Sequence, residues 1–285
     1  MELTVPLVEY HEDAGAGIIT LAAGKQGNRL NSAMLTELHG AVDTLLASDT
    51  VRFLLLRSNG PVFCHGLDFG AVTEERQEEE SEKDAVGLYQ QALKKFFACG
   101  VPVITVLQGE AKGGGVGFVC ASDIVVASEE ATIELSEVLF GLIPANVLPY
   151  LLEVRVPLAK ARYLILTAKK TDAREGRRIG LVDEVFPAES LEKGVKGICR
   201  QLLRSAPSAL ARTKQFTREC LEIPLSGRGK AAEEMLKEIF RDDSVTREIG
   251  RFRGGELPSW FSKFRPAGPL TIENPDKQKE EGKNG

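Results

Sequence analysis

Val101-Pro102-Val103-Ile104-Thr105-Val106-Leu107-Gln108-Gly109-Glu110-Ala111-Lys112-Gly113-Gly114-Gly115-Val116-Gly117-Phe118-Val119-Cys120-Ala121 joins an apolar run, a triple glycine and a second apolar run. The β-branched stretch 101–107 reads as a buried strand. Gly113-Gly114-Gly115 lets the backbone turn sharply and approach a ligand without side-chain obstruction. Residues 116–121 then read as the first turns of a helix. Unpaired N–H groups at a helix start, with the helix dipole behind them, can hold a developing negative charge. A second reading stays open: three glycines also allow a helix to pack tightly on a strand. Nucleotide chemistry is not supported. No G-x-G-x-x-G spacing runs through 109–117, and no Gly-Lys pair is followed by Ser or Thr.

A second segment lies upstream, Pro61-Val62-Phe63-Cys64-His65-Gly66-Leu67-Asp68-Phe69. Together the two segments resemble the crotonase (enoyl-CoA hydratase/isomerase) superfamily. In that family an F-x-x-G-x-D loop and a G-x-x-x-G-G-G turn each give one backbone N–H, and the pair polarises a thioester carbonyl. The resemblance spans residues 5–265 and continues through Ser136-Glu137-Val138-Leu139-Phe140-Gly141-Leu142-Ile143-Pro144 and 173–185. It implies an α/β crotonase (ClpP/crotonase-like) fold, with a ββα spiral core at 1–189 and a helical trimerisation region at 190–265. It also implies an oxyanion hole made by the N–H groups of Leu67 and Gly114, with Gly66 and Gly113 shaping the substrate site.

Composition agrees with that architecture. The 285 residues, 43% hydrophobic and 27% charged, suffice for a substantial core. A net charge of −5 argues against nucleic acid as a partner. Five scattered cysteines without a C-x-x-C, and only three histidines, point to free thiols rather than a zinc site. The N-terminus shows neither a basic region nor an apolar core of a signal, and no 18-residue apolar run exists, so no membrane partner and a cytoplasmic location are expected.

Along the chain, 17–22 and 51–57 read as strands flanking a helix at 32–47, with Met34, Leu35, Leu38, Val42 and Leu45 on one stripe. Residues 124–127 add another strand. The acidic run 73–84 reads as a solvated loop or frayed helix, which the resemblance places beside the pocket entrance, and 87–99 as a helix exposing Lys94 and Lys95. After Pro144 helices dominate, at 147–153, 159–168, 172–178, 190–203, 209–222 and 230–240. The stretch 266–285, rich in Pro, Gly, Lys and Glu, reads as a disordered tail.

The family's hydratases use two glutamates, one three residues after the middle glycine and one at the position of Glu137. The first position here is Gly117. The resemblance therefore leaves Glu137 as the single catalytic acid/base, flanked by Ile133, Leu135, Val138, Leu139 and Phe140, whose apolar surroundings favour a raised pKa. His65, beside the Gly66 turn, and Asn146, after Pro144-Ala145, are candidates to bind substrate, or else an ordinary loop histidine and a helix cap. Asp68 reads as a structural anchor of the loop.

With Gly117 in place of a glutamate, the chain resembles most the dehydratases of polyketide β-branching cassettes. The resemblance implies loss of water from a hydroxymethylglutaryl group on an acyl carrier protein, giving a methylglutaconyl thioester. It implies no metal and no cofactor beyond the phosphopantetheine or coenzyme A thioester of the substrate. The expected assembly is a homotrimer or hexamer. A carrier protein would meet a basic face near Lys94, Lys95 and Lys112. The alternatives are an enoyl-CoA isomerase or hydratase, and, in another class, a non-catalytic acyl-thioester-binding subunit.

Overall fold

The computed structural model describes residues 5–68, 70 and 85–272. The acidic run expected to border the pocket entrance, 73–84, lies outside the described residues.

Two sheets run side by side, and the chain feeds them alternately. The larger has the order β1 (Val8–Asp13), β2 (Ala16–Leu21), β3 (Phe53–Ser58), β5 (Val103–Leu107), β7 (Ile124–Ser128) and β10 (Glu184–Phe186). The smaller has the order β4 (Val62–Cys64), β6 (Glu110–Lys112), β8 (Thr132–Glu134) and β9 (Thr171–Asp172). Each strand β3, β5 and β7 is followed at once by its counterpart β4, β6 or β8 in the second sheet. Neighbours β3, β5 and β7 pair in parallel, as do β4, β6 and β8. Every turn of the chain thus adds one strand to each sheet, which is the expected ββα spiral. Hairpin β1–β2 pairs antiparallel through a two-residue turn, Ala14–Gly15, both residues at positive φ.

Period-two alternation gives the large sheet two apolar faces. On one, Ile19, Leu54, Leu56, Val103, Leu107 and Val125 pack under the helices α1 (Ser32–Leu46), α2 (Ala85–Ala98) and α3 (Gly114–Ala121). The stripe read in α1 is buried as expected, and Asn31 Oδ1 caps the helix by accepting from Met34 N. On the other face Ile18, Phe53, Leu55, Ile104, Val106 and Val126 pack against Leu191, Val195 and Cys199 of α7 (Ala188–Leu202).

That second face redraws the expected division of the chain. A boundary at 189/190 would cut through α7, which is part of the core. The stretch from 266 does not begin a disordered tail. Residues 266–272 are packed: Leu270 is fully buried, Arg57 Nη1 donates to Pro269 O at 2.5 Å, and Leu270 N donates to Glu192. Composition missed this because a single leucine, with backbone groups supplied with partners, suffices to pin a short polar segment.

Between the spiral and α7 come α4 (Leu148–Tyr150), which continues as a π turn over Leu151–Arg155, then α5 (Leu158–Thr167) and α6 (Ala173–Ile179). The chain continues through α8 (Pro207–Glu222), α9 (Leu225–Phe240) and α10 (Asp243–Arg253). Neither α8 nor α9 buries a residue, and α10 buries only Glu248. Among the described residues no helix is long and apolar enough to cross a membrane. The five cysteines are free thiols.

Candidate active site

The spiral places the ends of β4 and β6 next to each other, and the two glycine motifs leave from those ends. Gly66 adopts φ +80°, a left-handed conformation that costs other residues dearly. A Cβ there would lie 2.5 Å from Gly114 N, so the chain can approach only as glycine. The turn is tied on both flanks: Leu30 N donates to Gly66 O at 2.8 Å, and Asp68 N donates to Leu30 O at 2.9 Å. Asp68 Oδ1 accepts from Gly70 N, the anchoring role read in the sequence. Between these bonds Leu67 N–H is left over. Gly113 begins the second turn at φ +48°, and its N–H donates to Glu134 O. Gly114 then opens α3. Among the described residues neither Leu67 N–H nor Gly114 N–H donates to a protein acceptor. The two groups are close neighbours, since a Cβ on Gly114 would lie 3.4 Å from Leu67 N.

The three glycines divide the two readings left open by the sequence. Gly115 serves packing, because a Cβ there would sit 2.1 Å from Cys64 O. Gly113 and Gly114 line a cleft of about 820 Å³ together with Leu67, Tyr89, Glu137 and Asn146.

Glu137 opens the 3₁₀ turn Glu137–Phe140 that follows β8 and is 9% exposed. Its Oε1 faces Gly113, whose Cβ, were there one, would be 3.4 Å away. Its Oε2 is buried without a hydrogen-bond partner among the described residues. Burial pushes this carboxyl above its ordinary 4.5, against a smaller opposing pull from its own backbone N–H. The arrangement is a proton-accepting group beside two unpaired N–H donors, in a partly apolar cleft.

The other sequence candidates fall into place unevenly. His65 reaches the cleft, but its Nε2 lies 3.0 Å from Glu110 Oε2 and its Nδ1 abuts Gly27. Glu110 also receives Lys112 at 3.0 Å and Lys170 at 2.7 Å. Burial would raise the Glu110 carboxyl; the bonds from Lys170, Lys112 and His65 outweigh it and hold the group at about 2. His65 therefore belongs to a charged cluster at the cleft wall. Asn146 lines the cleft, and its Nδ2 donates to Val86 O at 3.3 Å, tying its loop to α2. Of the basic residues expected near the mouth, Lys112 is there, while Lys94 and Lys95 are not in the cleft lining. Lys95 pairs with Asp43 at 2.6 Å. Arg29, exposed in the cleft lining, was overlooked in the sequence.

Two further residues were also passed over. Cys64 Sγ donates to Asn28 O at 3.1 Å and accepts from Gly66 N at 3.3 Å, bracing the turn. Burial pushes this thiol up to about 12, so it keeps the proton that it donates. Tyr89 projects from α2 to the floor of the cleft, 1% exposed, and donates to Gly114 O at 2.5 Å. The signal for Tyr89 was Gly117 itself: a glycine where the resemblance implies a glutamate leaves room that another element must fill, and a Cβ there would meet Tyr89 Oη at 1.9 Å.

The paired-strand spiral, with its two glycine turns meeting at one cleft, is the crotonase fold. A Pseudomonas aeruginosa structure, AtuE, superposes with a TM-score of 0.83 at 28% identity, covering 90% of this chain and all of that one. The family profile described as enoyl-CoA hydratase/isomerase matches residues 11–263, and the chain belongs to that family. The Bacillus subtilis protein named bacillaene synthase dehydratase PksH is 31% identical over 261 residues, 90% of this chain and 97% of its own length. An Alternaria alternata enoyl-CoA hydratase, ACTT6, is 32% identical over 212 residues, covering 74% of this chain and 69% of that protein.

Proposed function

We propose that the protein dehydrates a β-hydroxyacyl thioester, its substrate being a hydroxymethylglutaryl group on an acyl carrier protein and its product the methylglutaconyl thioester. The observation that carries the reading is one buried carboxylate, Glu137, facing Gly113 in the cleft that Leu67 and Gly114 also line, with no second carboxylate at position 117. The likeness to a protein named as a synthase dehydratase supports it.

The thioester oxygen sits between the Leu67 and Gly114 N–H groups, which bind it more strongly as negative charge builds. Each such donor is worth about 2.7–4 kcal/mol in the transition state. Glu137 takes the α-proton, and the electron pair of the broken Cα–H bond becomes an enolate. Collapse of the enolate forms the Cα–Cβ double bond and breaks the Cβ–O bond. Glu137 returns its proton to the departing oxygen, and the products are one enoyl thioester and one water. A single carboxylate suffices because the proton that Glu137 takes from Cα is the one it returns to the departing hydroxyl on the same face.

Incubating the protein with carrier-bound hydroxymethylglutarate and weighing the carrier by mass spectrometry tests this. Loss of one water from the acyl group is expected. An acyl group unchanged in mass but with a shifted double bond, on a β,γ-enoyl thioester, points instead to the isomerase chemistry that one carboxylate also permits.

A further inference from the structure

Position 117 is where a second carboxylate would project, and here it is Gly117 on α3. A Cβ at this position would lie 1.9 Å from Tyr89 Oη, 3.0 Å from Tyr89 Cζ and 3.1 Å from Leu93 Cδ1. Residues 89 and 93 are one turn apart on α2, so their side chains share the face turned toward α3. The phenol has thus taken the volume of the absent side chain. Its hydroxyl is at the oxyanion turn as well, since a Cβ on Gly114 would stand 3.3 Å from Tyr89 Cζ and 3.4 Å from Leu67 N.

The ring is held in place. Phe118 packs edge-on against it at 5.7 Å between centroids, and the hydroxyl proton is committed to Gly114 O at 2.5 Å. The lone pairs of Oη remain as acceptors, and Tyr89 belongs to the cleft lining. Burial first, then the neighbouring Cys64, Cys120 and Glu137, hold the phenol well above its ordinary value, so it stays protonated at any working pH.

We propose that Tyr89 is a further catalytic residue of this cleft, its hydroxyl accepting a hydrogen bond from the substrate's β-hydroxyl and so presenting that oxygen's lone pair to Glu137. The inference rests on the dehydration reading above and adds the group that aims the leaving oxygen. The balance is unchanged: the departing water carries the β-oxygen, its own hydrogen, held by Tyr89, and the former α-proton delivered by Glu137. Tyr89 exchanges no proton in the step. It takes over the aiming task of the missing carboxylate without adding a second negative charge close to Glu137.

The test separates leaving-group contact from support of the turn. Two reactions are followed for the wild-type chain, Tyr89→Phe and Glu137→Gln. One is loss of water from carrier-bound hydroxymethylglutarate. The other is exchange of the α-protons of glutaryl-pantetheine with deuterated solvent, which needs Glu137 and the oxyanion donors but has no leaving group. Tyr89→Phe is expected to lower the dehydration kcat about 10²-fold and to lower exchange far less, by less than about threefold. Glu137→Gln should lower both by about 10²-fold or more. Parallel losses in Tyr89→Phe would make the hydroxyl only a brace for Gly114 and overturn the proposal, as would no loss in either reaction. A wild-type chain that exchanges α-protons but releases no water overturns the dehydration reading and this inference with it. If Tyr89→Phe does not unfold cooperatively, 3-fluorotyrosine at position 89 carries the same comparison. That residue keeps the ring and hydroxyl but weakens the oxygen as an acceptor, so dehydration should fall while exchange holds.

Discussion

Glu137 is held in an environment that disfavours its charge, and that is both its use and its cost. A carboxylate stripped of water and left with one oxygen unpaired is a stronger base than one in solvent. Glu137→Gln keeps the shape and should lower turnover by about 10²-fold or more, measured as kcat with thioester binding retained. The same substitution should stabilise the fold at neutral pH. The folded-state pKa is raised, so between 4.5 and that raised value the folded chain binds more protons than the unfolded one. Stability from this group is fully present below 4.5 and is lost as pH rises through the folded value. Thermal unfolding as a function of pH should show Glu137→Gln above wild type at pH 7, with the gap closing toward pH 4.5. A gap independent of pH would mean that Glu137 is not buried as a charge.

At the scale of elements, the site depends on two strand ends that must nearly touch. Gly66→Ala asks a left-handed backbone to carry a Cβ and drives it to 2.5 Å from Gly114 N. The two turns must part, and the expected loss is about 10²-fold in turnover, the worth of one oxyanion donor. Turnover measured against the unfolding temperature checks this, because a variant that loses stability but keeps kcat would remove the turn from the mechanism. Much of this joint was legible beforehand. The triple-glycine turn was read from its own residues, the upstream loop and Glu137 came with the family resemblance, and the structure brings them to one cleft. The strands 101–107 and 124–127 and the helix 32–47 were read within two residues, because long apolar runs and a full helical stripe leave little choice. The short strands β4, β6, β8 and β9 were not read. Runs of two or three residues carry no period, and their pairing is fixed only by the spiral. Tyr89 and Cys64 were missed for a related reason. Each acts through a contact with a segment distant in sequence or through an absent side chain, and neither leaves a pattern in its own neighbourhood.

At the scale of the whole molecule, the last three helices leave large apolar side chains exposed. Leu221, Leu225, Leu236, Phe240, Ile249 and Phe252, on α8 to α10, are all exposed, and these helices bury almost nothing of their own. Helices of 11 to 16 residues draw most of their stability from packing an apolar face, so three in a row without one imply a partner surface. A second copy of the chain supplies such a surface under closed symmetry. The expected state is a homotrimer, alone or paired into a hexamer. Light scattering at micromolar concentration should report three or six times the chain mass. Leu236→Arg with Phe240→Arg, both at exposed positions, should shift that mass toward one chain without unfolding the spiral core, whose two apolar faces are filled by other elements. A wild-type monomer at that concentration would sink the assembly, and the exposed leucines and phenylalanines of the last three helices would then require a different partner.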